Sequence, residues 1–158
     1  MFTHLFSGLL ILGAAAVCLV AFWKGDSAAR IASIINILNA AALPALRIFL
    51  GYQTGEVVQL ASDFGASIGF LLLAVRFASM WLGAAMLLQS GLFSLHAFYL
   101  VTDRPHDRLH AWINNTDQWA LYLCILLGVV LDARRRAAAA REAAEIEARR
   151  QQRSSRRK

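Results

Sequence analysis

Apolar residues gather in five blocks separated by short polar breaks: Leu5 to Trp23, Ile31 to Leu50, Glu56 to Val75, Ala78 to Val101, and a last one around Trp119 to Leu131. A helix that crosses a bilayer needs about 20 apolar residues, and the first four blocks meet that length. The fifth does not by itself. Extending it back through Ala111 to Gln118 restores the length, but brings Asn114, Asn115, Thr116, Asp117 and Gln118 into or near the interface. The pattern predicts an all-α fold: an integral membrane bundle of five transmembrane helices over residues 1–132, then a basic cytoplasmic helical tail over 133–158, disordered at its end from Ser154 to Lys158. Four spans with a re-entrant Ile31 to Leu50 segment is the alternative.

Several polar residues interrupt these blocks. Asp63 lies inside the third, at a depth where an ionised group is costly unless it faces protein or water. Gln59, Asp63 and Ser67 fall four apart, so one side of that helix is polar. In the second block Asn36, Asn39 and Arg47 project into one narrow sector, and Pro44 predicts a kink. Arg47 and Asp63 sit on consecutive antiparallel helices, so an ion pair that offsets the cost of burying both charges is expected. Gln89 and His96, seven apart, share a side of the fourth helix, and Asp117 lies at similar depth in the fifth. Small residues at Ala61, Gly65 and Gly69, and at Ser79 and Gly83, predict close helix packing.

Composition supports this picture. The chain is 58% hydrophobic, which excludes an ordinary soluble domain. The first block lacks a basic leader, exceeds a signal-peptide core and runs into Lys24, so it is expected to remain as a membrane helix. The net charge of +6 is mostly tail, where ten Lys/Arg face three Glu from Arg134 onward. With five spans, Lys24, Arg30, Arg76 and the tail share one side, leaving Arg104 and Arg108 opposite. The positive-inside rule then gives a bacterial inner-membrane protein with its N-terminus outside and C-terminus cytoplasmic.

Chemistry is sparse. His96 is a candidate proton relay or an axial ligand to haem or a chlorin, with His4 the only other histidine at the outer end of a span. His106 and His110 have metal-ligand spacing, with Asp103 or Asp107 as a third ligand, but solvated loop histidines are the simpler expectation. Cys18 and Cys124 read as apolar-run residues. No nucleophilic triad, P-loop or dinucleotide fingerprint is present. Arg134, Arg135 and Arg136 are expected to contact anionic lipid or a partner, and the tail lacks the aromatic residues that single-stranded nucleic-acid binding uses. The leading expectation is a non-enzymatic accessory or assembly subunit of a larger membrane complex, without a cofactor. The alternatives are an oligomeric ion or small-solute transporter or channel using Asp63 and Arg47, and a haem- or pigment-binding electron-transfer component using His96.

Overall fold

The computed structural model describes residues 2–50, 55–105 and 107–155, with side chains for these except residues 2–8, 11, 42–50 and 153–155. The described residues form five helices and no strand: α1 (Phe2–Lys24), α2 (Ser27–Leu50), α3 (Gly55–Phe77), α4 (Met80–Val101) and α5 (Arg108–Ser155). An apolar segment can satisfy its own backbone N–H and C=O groups only by forming helix, which is why each block yields one element. Three stretches, Gly55–Phe77, Met80–Val101 and Arg108–Gln152, are long and apolar enough to cross a membrane. Leu12–Lys24 of α1 is apolar but shorter. The Arg47 side chain and the geometry around Pro44 lie outside the described residues; α2 itself continues through Pro44 to Leu50.

Short connections fold consecutive helices back on one another. Asp26 caps α2, its Oδ1 accepting the Ala29 N–H at 2.8 Å. Gly25 leaves no room for a side chain, since a Cβ there would lie 2.4 Å from the Ala21 carbonyl oxygen. Between α3 and α4 the chain turns through Ala78, at φ 46°, and an extended Ser79. Each helix packs on the next, and α5 also meets α1 and α2, closing the bundle.

The fifth helix departs from expectation. It is one helix of 48 residues, with no break between its apolar stretch and the basic tail, and it includes Ser154 and Ser155, where the sequence predicts disorder. Residues 156–158 lie outside the described residues. The polar run Asn114 to Gln118 does not shorten the usable span, because Asn114 and Gln118 turn inward to line a pocket. The 22 residue steps from Trp112 to Arg134 rise about 33 Å, close to the ~30 Å of a bilayer's hydrocarbon.

Arg136 makes contacts within the chain that its sequence position did not announce. Its guanidinium donates to the Lys24 carbonyl at 2.5 Å and pairs with Asp132 at 2.5 Å. It thereby satisfies one of the carbonyls that a helix C-terminus leaves free. Arg134 and Arg135 are exposed.

The interior divides in two. Val17, Ala21, Ala28, Ala32, Phe70, Leu73, Leu82, Ala85, Leu121, Ile125 and Val129 form an apolar core toward the end that carries Lys24, Arg76 and Arg136. Close approaches tighten it: a Cβ on Gly128 would lie 2.4 Å from the Trp81 indole, and one on Gly13 would lie 2.9 Å from the Trp119 ring. The other half of the interior is polar. Outside, the large apolar side chains are turned away from the protein, with Leu12 at 68%, Leu72 at 64%, Val75 at 75% and Leu87 at 67% exposure on α1, α3 and α4. An apolar exterior around a partly polar interior is compatible with a membrane location and ill-suited to water.

At the α4–α5 connection Asp107 caps α5. Its Oδ1 accepts the His110 N–H at 2.8 Å and the Tyr99 hydroxyl at 2.8 Å. These two donors, the backbone N–H first, hold its carboxyl below the ordinary 3.8. A depressed carboxyl pKa contributes stability above the ordinary value and loses it as pH falls through the lowered one. Asp107→Ala is thus expected to fray the first turn of α5 at neutral pH, read as faster amide exchange at Leu109 to Ala111, with no added effect in acid below that value. Unchanged exchange at neutral pH would show that the cap does not hold the turn.

Candidate functional site

The polar half of the interior is built around Asp63, whose exposure is 3%. Its Oδ1 accepts the Asn39 amide at 3.1 Å and the Gln89 amide at 2.9 Å. Its Oδ2 lies 2.5 Å from His96 Nδ1. Donors from α2 and α4 thus converge on one carboxylate of α3. Residues seven apart on a helix lie on the same side two turns along, so Gln89 and His96 grip Asp63 from above and below. Ser67 sends its hydroxyl back to the Asp63 carbonyl at 2.8 Å, which satisfies it within its own helix.

A second layer orients the first. Ser62 Oγ donates to Asn39 Oδ1 at 2.5 Å, which aims the Asn39 amide nitrogen at Asp63. Gln59 Nε2 lies 3.1 Å from His96 Nε2. As drawn, the Gln59 amide donates to a neutral imidazole that carries its proton on Nδ1. Turning the Gln59 amide over would present its oxygen to a protonated Nε2 instead. The chain Asp63–His96–Gln59 therefore has a hydrogen-bonded arrangement for either charge state of the imidazole, which suits proton exchange.

His110 lies inside as well. It is 8% exposed, with its ring 5.2 Å from that of His96 and 4.7 Å from that of Tyr99. This corrects the expectation of a solvated loop histidine: capping by Asp107 starts α5 early enough to turn His110 inward. His106 lies outside the described residues, and no group of three His, Cys, Asp or Glu able to hold a metal occurs among the described ones. His96 has both ring nitrogens engaged, so an iron could bind it only by displacing Asp63 or Gln59. The His4 side chain lies outside the described residues.

Asp117 stands within electrostatic reach of Asp63, but its Oδ2 is buried without a hydrogen-bond partner. Asn36, at 1% exposure, leaves both amide atoms unpartnered and makes no hydrogen bond to the Asp63 cluster. The small residues also divide. Gly69 packs against Ile35, whereas a Cβ on Gly65 or Gly83 would meet nothing within 4 Å, so neither serves close packing within this chain. Ala61 is exposed and Ser79 partly buried. Ser62, Asn114 and Gln118 are the site residues that the sequence did not single out; a polar residue one step off the Asp63 face carries no periodic signal.

A cavity of about 110 Å³ opens beside this cluster, lined by Asn39, Gln59, Ser62, Asp63, His96 and Gln118 among others. Side chains from α2, α3, α4 and α5 share it. Comparison with protein families, with curated proteins and with solved structures finds no match to this chain.

Proposed function

We propose that this chain is a small polytopic membrane protein that presents the Asp63–His96 pair as a one-sided binding site for a proton or a small hydrogen-bonding solute. The observation that carries this reading is a buried carboxylate held by donors from two neighbouring helices beside a polar cavity. Intramembrane ionisable groups mark ion, proton and solute paths by default. The apolar layer of Phe70, Leu82, Leu121 and Ile125, each 0% exposed, argues for a pocket that loads from one face rather than an open pore. Five spans with the N-terminus outside and the C-terminus cytoplasmic fit this reading. Lys24, Arg30, Arg76 and Arg134 to Arg136 then lie together on the cytoplasmic face, with Arg104 and Arg108 opposite.

The test is NMR of protein labelled with 15N-histidine in lipid nanodiscs. The His96 ring N–H is expected to exchange with water, and its ring signals are expected to shift in Asp63→Asn. A His96 ring N–H that does not exchange would reduce the pair to a sealed packing element.

A second reading, an accessory or assembly subunit of a larger complex, draws on the projecting part of α5, whose described side chains are all exposed from residue 133 onward. Gentle extraction from the native membrane should then recover the chain with fixed companions; migration as a lone species would count against it.

A further inference from the structure

A groove of about 340 Å³ lies between α2 and α3, lined by Ile35, Leu38, Asn39, Ser62, Gly65 and Ala66. Its outer rim faces the apolar exterior, since Leu38 is 64% exposed and nothing stands within 4 Å of where a Gly65 Cβ would be. Its inner rim is Asn39 and Ser62, which also line the polar cavity at Asp63. An apolar groove thus adjoins the carboxylate site and opens sideways toward lipid.

Three oxygens around the site, Gln89 Oε1, Asp117 Oδ2 and Gln118 Oε1, are buried without a donor, and of these residues Gln118 lines the polar cavity. For Gln89 the orientation follows from chemistry: its nitrogen must face Asp63, because a carboxylate only accepts, so its oxygen is left over. Gln89 is 0% exposed, and a buried acceptor without a donor is costly. Asp63 and Asp117 add negative charge, and no Lys or Arg lines either cavity among the described residues. Such a site repels phosphate and carboxylate headgroups. It favours a hydrogen-bond donor that is positively charged.

Taking the polar site as a binding pocket, we infer that it accepts the N–H group of a lipophilic ammonium compound whose apolar body lies in the α2–α3 groove. The groove accounts for the tail, the Gln118 oxygen on the cavity wall for the donor, and Asp63, with Asp117 within electrostatic reach of it, for the charge.

The experiment is calorimetric titration of the full chain in nanodiscs, with empty nanodiscs subtracted, using three probes of one chain length: octylammonium, octyltrimethylammonium and octanoate. Octylammonium is expected to bind saturably. The quaternary cation, which has charge but no N–H, should bind about tenfold more weakly or worse, and octanoate not at all. Gly65→Leu fills the groove from a position with free space, and is expected to weaken octylammonium about tenfold or more while helix content by circular dichroism stays unchanged. Absence of saturable octylammonium binding, which would leave the unmet oxygens to water, overturns the inference. So does equal binding of octanoate or of the quaternary cation, or a Gly65→Leu variant that binds as well as the parent. If the His96 ring N–H exchanges with water while octylammonium fails, only this inference falls; a non-exchanging His96 with selective octylammonium binding removes the proton-exchange reading and leaves the pocket.

Discussion

Asp63→Leu is expected to destabilise the bundle by about 3–5 kcal/mol, because it leaves three buried donors unsatisfied at about 1–3 kcal/mol each. The loss is not mainly that of an attraction. Asn39, Gln89 and His96 all aim at this carboxylate, and without it their donors stay buried and unsatisfied. Asp63→Asn should be far milder, because the amide oxygen can still accept from Asn39 and Gln89, and only the side toward His96 is mismatched. Thermal or denaturant unfolding in detergent, followed by circular dichroism, separates the two substitutions. Equal losses for leucine and asparagine would mean that charge, rather than the count of satisfied donors, dominates the site.

Gly128→Leu should be comparably damaging for a different reason. The Trp81 indole occupies the space where the Gly128 side chain would begin, with ring atoms 2.4 to 2.7 Å from an ideal Cβ. Trp81 is only 8% exposed, so the ring cannot swing out without opening the α4–α5 contact. Even Gly128→Ala is expected to cost about 1–3 kcal/mol, the usual range for overpacking. Gly65→Ala and Gly83→Ala serve as controls, because their Cβ positions are open, and each should stay within about 0.5 kcal/mol of the parent. If all three alanine variants unfold alike, close packing under Trp81 is not what holds α4 to α5.

The helices were legible because membrane-length apolar runs leave the backbone no other way to satisfy itself. The first four ended within a few residues of where the apolar blocks end. The fifth was harder to read, since Asn114 and Gln118 look like interface residues until a pocket is there to receive them. Asp63 and the Gln89–His96 pair were visible from cost and spacing alone. The contact between Asp63 and His96 was not. The Arg47 side chain, expected there from opposite formal charge, lies outside the described residues; the His96 contact depends on the rotation of α4 about its axis, and weak amphipathicity leaves that rotation unwritten in the sequence. The orientation of Gly65 and Gly83 was hidden for the same reason: a small residue permits close approach but does not say which neighbour, if any, arrives.

Gln118, which lines the polar cavity, and Arg149 belong to one unbroken helix, and the 31 residue steps from one to the other correspond to about 46 Å of rod. A rod that long acts as a mechanical lever. A torque applied near Arg149 would turn the cavity wall at Gln118, and the Arg136 anchor on the end of α1 would act as its fulcrum.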